Sequence, residues 1–261
     1  MVRSACIVVA VVVVPLTTGA ICRAQIDPVA TEQRTLEPPV INPGPAVSPA
    51  PPSDALVLFD GKSLDKWEGI YGSPASWTVA DGVFTVNKGR GNIRTKQVFT
   101  DYQLHMEWRV PKDIEGRGQL RGNSGLFLGS TGSGDAGYEL QILDSYRNET
   151  YAKGQAGAIY EQFAPLVNAM RPPGEWQSYD VIWTAPRFKS DGSVQSSAVV
   201  TAFMNEVLIL DHVALKGETA SAGTPRYRAH GALPIKLQDH PDPSPPISFR
   251  NIWLRELPSH R

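Results

Sequence analysis

The chain has 261 residues, a formal net charge of −1, 23 Gly and 22 Pro. Its length, once flanks are removed, favours one large β domain, and the balanced charge gives no footprint for nucleic acid or an anionic membrane surface. So many Gly and Pro argue for turn-rich β structure plus an unstructured segment, and with both cysteines, Cys6 and Cys22, near the start, the rest of the chain has no disulfide or thiolate site.

The first residues read as an export signal. Arg3 supplies a short positive region, and Ala5 to Leu16 is an apolar run of signal-peptide length, too short to span a bilayer. Small residues offer cleavage after Ala20 or Ala24, so residues 1–24 are expected to be a leader and the mature protein periplasmic or extracellular. A lipid anchor at Cys22 is the competing reading, weakened by the bulky Ile21 before it. Residues 25–54 carry Pro38-Pro39, Pro43, Pro45, Pro49 and Pro51-Pro52 without periodicity or an aromatic residue. That composition predicts a disordered, polyproline-like linker.

Folded structure is expected over 55–257, beginning at Ala55–Phe59 and turning at Asp60-Gly61. Short strands follow at Trp77–Val79 and Val83–Val86. Lys88-Gly89-Arg90-Gly91-Asn92 is a glycine-rich turn; no helix pattern follows it, so it is not a phosphate cradle. Tyr102 to Val110 alternates, with Tyr102, Leu104, Met106 and Trp108 on one face and Gln103, His105, Glu107 and Arg109 on the other. Gly122–Gly125 leads into Leu126–Leu128, and a Gly/Ser loop precedes the strand Tyr138–Leu143. Further strands are expected at Ser178–Thr184, Ala198–Phe203, Val207–Asp211, Ile235–His240 and Ile247–Leu254, with a hairpin turn at Asn205-Glu206. Many short strands between Gly/Pro turns indicate an antiparallel sandwich.

The strand Tyr138–Leu143 is the most unusual. Tyr138, Leu140 and Ile142 face a core, while Glu139 and Gln141 share the wet face, roughly 7 Å apart. Carboxylates are uncommon in strands. One bulge would bring Asp144 to the same side. Glu107 and Arg109 share a wet face elsewhere, as do Gln238 and His240. If these strands neighbour one another, their polar faces form one concave site able to pair with sugar hydroxyls, with Tyr146, Tyr151 and Tyr160 as aromatic covers.

LFDGKSLDKW (58–67), GNSGLF (122–127), YELQILDS (138–145), GAIY (157–160), PPGEW (172–176), LQDH (237–240) and FRNIW (249–253) together resemble the 3-keto-disaccharide hydrolase domain, also described as a 3-keto-glucoside lyase domain. The resemblance covers 55–257. It implies an all-β, concanavalin A-like lectin/glucanase jelly roll of two antiparallel sheets, acting on an oligosaccharide or glycoside already oxidised at C3. Pro241 after the QDH triplet, Gln177 after Glu175-Trp176, and Glu206 after Asn205 depart from the usual pattern.

A 3-keto group acidifies the C2 proton, so elimination needs a base, a proton donor for the leaving oxygen and a group that stabilises the enolate. Glu139 is the first choice as base and Glu107 the second; His240 is the expected donor and Arg109 the enolate stabiliser. Asn123, Gln141, Asp144, Tyr160, Gln238 and Asp239 are the candidate substrate-binding residues. No cofactor and no metal requirement follows from the sequence; the fold class admits a divalent cation, whose ligands cannot be assembled from the sequence. Two alternatives stand beside this reading. Glu139-x-Gln141-x-x-Asp144 resembles the catalytic strand of a retaining glucanase, with an amide replacing its central carboxylate, and many jelly rolls are non-catalytic sugar-binding modules.

Overall fold

Alternation of apolar and polar side chains along short segments builds this molecule, in a computed structural model that describes residues 37–258. The expected leader and its candidate cleavage sites lie outside the described residues. The strands, in chain order, are β1 (Leu56–Phe59), β2 (Trp67–Gly69), β3 (Thr78–Ala80), β4 (Val83–Thr85), β5 (Ile93–Thr95), β6 (Tyr102–Arg109), β7 (Ser124–Phe127) and β8 (Glu139–Ile142). They continue with β9 (Gln177–Thr184), β10 (Arg187–Phe188), β11 (Val194–Ser196), β12 (Val199–Met204), β13 (Val207–Ala214), β14 (Lys236–Leu237) and β15 (Ser248–Glu256). Among the described residues no helix is long and apolar enough to cross a membrane.

The larger sheet has eight strands in the order β13-β12-β9-β6-β15-β4-β3, with β1 also pairing to β15. The smaller has five, in the order β2-β5-β14-β7-β8, and β10-β11 is a separate hairpin. Strand pairings in all three are antiparallel. The expected all-β, two-sheet jelly-roll sandwich is what the chain forms.

One continuous core lies between the sheets. Leu104, Met106 and Trp108 of β6 meet Tyr179 and Val181 of β9 on the inner face of the larger sheet, and Ile93, Leu126, Leu140, Ile142 and Leu237 fill it from the smaller. Two tyrosines tie the layers together. Tyr102 Oη donates to Leu128 O at 2.6 Å, and Tyr179 Oη donates to Gln141 O at 2.7 Å. The second bond fixes the height of the strand that carries Glu139 and Gln141.

The hairpin expected at Asn205-Glu206 is present between β12 and β13, with φ of 54° and 71° at the two turn residues. This mirror-image turn matches the strand twist. β14 is shorter than the expected Ile235–His240 strand. Beyond Leu237 the chain leaves the ladder because Asp239 N donates instead to Asn92 Oδ1 at 2.8 Å.

The Pro-rich segment corrects an expectation. From Glu37 onward the described chain is one compact unit, and residues 37–49 are bound to the sandwich rather than free of it. Ile41 N donates to Asn168 O at 3.1 Å, and Asn168 N donates to Pro39 O at 2.9 Å. Arg171 holds Gly44 O and Pro45 O, each at 3.0 Å, and Asn251 Nδ2 donates to Pro49 O at 2.9 Å. Proline removes a donor, not an acceptor, so the extended segment still offers carbonyls to side chains of the domain.

Candidate functional site

Register across the smaller sheet decides what its outer face presents. Glu139 is opposite Phe127, which is opposite Lys236; Gln141 is opposite Gly125. Partners across a ladder point the same way, so Glu139, Gln141, Phe127 and Lys236 all project away from the core. Of these, Glu139 and Gln141 floor a pocket of about 420 Å³, a size that suits a sugar. Asn123, Tyr160, Gln238 and His240 line it too, together with Asp135 and the segment Thr219–Ala222.

Glu139 is only 5% exposed, and no side-chain hydrogen bond holds its carboxyl among the described residues. Burial, with the Asp135 charge adding to it, pushes that carboxyl up to about 8 against the opposing pull of Lys236. Gly125 makes room for it: a methyl there would overlap Glu139 Oε1. Lys236 is fully buried, and its ammonium lies 3.8 Å from the centre of the Phe127 ring. It donates to Gly134 O at 2.6 Å and Ala136 O at 2.9 Å, pinning the loop that brings Asp135 to the pocket. Burial brings its own pKa down to about 8.

Gln238 Nε2 donates to Asp135 Oδ1 at 2.7 Å, while Gln238 Oε1 is buried without a partner. An orphaned buried acceptor is costly unless a ligand donates to it. Gln141 is steadied by Gln119, whose Oε1 accepts from Gln141 Nε2 at 3.1 Å. His240 Nδ1 is 3.1 Å from Asp242 Oδ2. Burial works to raise the Asp242 pKa, but hydrogen bonds from His240, Ser244 and Lys88 outweigh it and hold that carboxyl at about 2. Tyr151 and Tyr160 share a 2.7 Å bond between hydroxyls beside the pocket, whereas Tyr146 lines a different one.

Glu107 and Arg109 are not here. They project from the outer face of β6 in the larger sheet, so they and Glu139 lie on opposite sides of the sandwich. The expectation of one shared site fails for them, because alternation tells which face of a strand is wet but not which sheet the strand joins. Glu107 instead accepts from Arg250 Nε at 2.6 Å and Asn251 Nδ2 at 2.8 Å, and from Ser48 Oγ. Burial opposes ionisation, but these bonds and His105 hold its carboxyl at about 2. His105 Nδ1 in turn meets Asp180 Oδ1 at 2.7 Å. Arg109 and Arg250 lie on the Trp176 ring, at 4.5 and 4.1 Å from its centre.

Asp144 and Asp239 also fall outside the pocket lining. β8 ends at Ile142, no bulge returns Asp144 to the wet face, and its carboxylate is 2.8 Å from Arg121 Nε. Asp239 Oδ2 accepts from Gly91 N at 2.8 Å, so it supports the neighbouring turn. Asp135, Asp242, Lys236 and Thr219–Ala222 were not among the expected site residues. Most lie in loops, where no periodicity marks them; Lys236 did alternate with Gln238 and was the one legible signal.

A second pocket, of about 500 Å³, lies between residues 40–44 and 168–175. Arg171 there is already committed to Gly44 O, Pro45 O and Asn205 Oδ1, and among the described residues no buried unpartnered side-chain atom lines this pocket as Gln238 Oε1 lines the first. No three His, Cys, Asp or Glu side chains converge on a metal position among the described residues.

Comparison with known proteins places these observations in a family. A family model described as the 3-keto-alpha-glucoside-1,2-lyase-like domain matches residues 54–255. A crystal structure of a proposed glycosyl hydrolase from Parabacteroides distasonis is 51% identical, with a TM-score of 0.76, covering 90% of this chain and 98% of that one. A second such structure from the same organism shares 20% identity at a TM-score of 0.56, covering 78% and 99%, and speaks for the fold alone. No match was found among curated proteins.

Proposed function

Because the chain belongs to the 3-keto-alpha-glucoside-1,2-lyase-like domain family, we propose that it cleaves glycosides whose sugar is oxidised at C3, by removing the C2 proton and expelling the C1 oxygen. The observation that carries this reading is the pairing, in one sugar-sized pocket, of an unpartnered buried carboxyl, Glu139, with a histidine, His240, whose other ring nitrogen is held by a carboxylate. Two proton-transfer groups are what an elimination of this kind requires. Asn123, Gln141, Gln238 and Asp135 are the hydroxyl-binding groups.

The lining favours a neutral sugar. Asp135 and Glu139 bring acid to the pocket and, among the described residues, no Lys or Arg lines it, so the carboxylate of a uronate would meet two acidic groups and no permanent cation. Acidity at the reacting carbon must then come from a ketone on the sugar itself. The glucanase reading is weakened by Asp144: with its carboxylate held by Arg121, the strand Glu139-x-Gln141-x-x-Asp144 supplies one carboxyl where its resemblance to a retaining enzyme calls for a pair. Asp135, the other acid at the pocket, already accepts from Gln238 Nε2.

The test is incubation with a 3-keto-disaccharide and the matching unoxidised disaccharide, following both halves by mass spectrometry and C2 deuterium uptake. Cleavage restricted to the oxidised sugar is expected. Cleavage of the unoxidised sugar without C2 exchange would select the glucanase, and binding of either without turnover would select a sugar-binding module.

A further inference from the structure

The glycine-rich turn at 88–92 directs several of its polar groups at one segment, residues 239–242, while Asn92 Nδ2 also donates to Gly134 O at 3.1 Å. Lys88 Nζ donates to His240 O at 2.9 Å, to Asp242 O at 3.2 Å and to Asp242 Oδ2 at 2.9 Å. Gly91 N and Asn92 Oδ1 take the side chain and backbone of Asp239, each at 2.8 Å. Gly89 and Gly91 have φ of 78° and 85°, which lets the turn fold back so tightly. The turn is a bracket for residues 239–242.

We infer that this bracket makes His240 the group that takes the C2 proton, with Asp242 and Lys88 as positioning residues, and leaves Glu139 to protonate the departing oxygen. The assignment rests on 3-keto-glycoside cleavage and reverses the roles expected from the strand pattern. Asp242 has no exposed side-chain surface, and it receives Lys88 Nζ, Ser244 N and Ser244 Oγ besides His240. A carboxylate already collecting those donors has no proton to give, so His240 Nδ1 must be the donor in their bond. The neutral ring then has one tautomer, with its lone pair on Nε2, the ring nitrogen of this pocket-lining residue that Asp242 does not hold. Asp242 also stabilises the imidazolium that forms when Nε2 accepts a proton.

Glu139 is built the opposite way. The charged or titratable groups facing it are Asp135 from the 129–137 loop, Tyr160, His240 and Lys236 from β14. Lys236 spends donors on Gly134 O and Ala136 O, and among the described residues no cation touches the Glu139 carboxyl. Those facing His240 are Asp242, Asp239 beside it, Lys88 from the turn, and the acids across the pocket. With its carboxyl pushed up to about 8, Glu139 is mostly protonated at neutral pH.

In the reaction, Nε2 of His240 takes the C2 proton and the C2–H electrons form the enolate of the C3 ketone. The enolate collapses to a C1–C2 double bond conjugated with that ketone as the C1–O bond breaks, and the departing oxygen takes the Glu139 proton. The products are an enone and an alcohol. No electron is gained or lost, and solvent returns the proton from His240 to Glu139.

A 3-keto sugar lacking a substituent at C1 separates the two steps, because it can exchange its C2 proton but has nothing to expel. His240→Gln should slow its exchange with deuterated water by about 10²–10⁴-fold. Glu139→Gln should leave that exchange near wild type while slowing cleavage of 3-keto-glucosides. Replacing the leaving alcohol with 2,4-dinitrophenol, which departs unprotonated, should restore cleavage to Glu139→Gln but not to His240→Gln. ¹⁵N NMR of the wild-type protein at neutral pH should find His240 protonated at Nδ1 and bare at Nε2, which needs no variant. Exchange lost in Glu139→Gln but kept in His240→Gln, or a neutral His240 protonated at Nε2, would overturn the role assignment. Wild-type protein that neither exchanges nor cleaves any 3-keto sugar would overturn the functional reading itself.

Discussion

Gly125→Ala is the sharpest probe of how the pocket is built. Gly125 lies in the middle of β7 with ordinary strand backbone, so alanine is conformationally acceptable there. Its methyl would overlap Glu139 Oε1 and stand 3.2 Å from Glu139 Cδ and 3.0 Å from Phe127 Cε2. Ordinary carbon contacts need about 3.5–4.0 Å, and the carboxyl is the far end of a flexible side chain, so it retreats by roughly 1 Å while the Phe127 ring yields by a smaller amount. A misplacement of about 1 Å in a reacting group costs about 10²-fold in rate. The fold should hold, because relief of glycine's backbone entropy offsets the crowding to within about 1 kcal/mol. The assay is kcat/KM on a 3-keto-glucoside beside Tm from calorimetry. A large rate loss with Tm nearly unchanged is expected. Wild-type turnover in Gly125→Ala would show that the carboxyl position does not matter, and Glu139 would then have no part in the chemistry.

Glu107→Ala should do the reverse. Removing this buried carboxylate from buried His105 and partly exposed Arg250 costs up to about 3–5 kcal/mol, and at about 2–4 °C per kcal/mol for a domain of this size lowers Tm by several degrees. The rate per folded molecule should still be that of wild type because Glu107 faces away from the pocket. The folded state raises the Glu139 carboxyl from its ordinary 4.5 to about 8, so the folded protein keeps a proton that the unfolded chain releases, and stability should fall as pH rises through that window. Glu139→Gln should flatten this slope, its Tm advantage over wild type widening as pH is raised from 4.5 to 8; parallel curves would refute the burial argument. Glu206 holds a φ of 71° in an exposed hairpin turn, so Glu206→Gly should raise stability by about 0.5–1 kcal/mol in urea unfolding, and no gain would mean that the turn carries no strain.

The strands were readable because β6, β8 and β15 each turn one apolar face to the core, which leaves a period of two in the chain. What that period cannot say is which layer a strand joins. Glu107 and Glu139 are equally good wet-face carboxylates in sequence, and only pairing partners, Arg250 for one and Phe127 for the other, separate them. Asp144 fails for a local reason: the ladder stops two residues before it, and Arg121 claims its carboxylate. Asp135 and Asp242 were invisible because loop residues have no periodicity to betray them, although both follow Gly- or Pro-rich runs. The Pro-rich segment was legible as extended. That its carbonyls would be gripped by Arg171 and Asn251 depends on residues far away in sequence.

The separation of the two carboxylates onto opposite faces has a consequence for how such a protein can change. The ion-paired cluster around Glu107 ties β6, β9 and β15 to one another and to the Pro-rich segment, and among the described residues it shares no side chain with the pocket. Replacements in the 129–137 loop or at Thr219–Ala222 can therefore alter which glycoside fits without eroding what holds the sandwich together. A laboratory search for new specificity should confine its library to those two loops, and its survivors should retain the thermal tolerance of the parent.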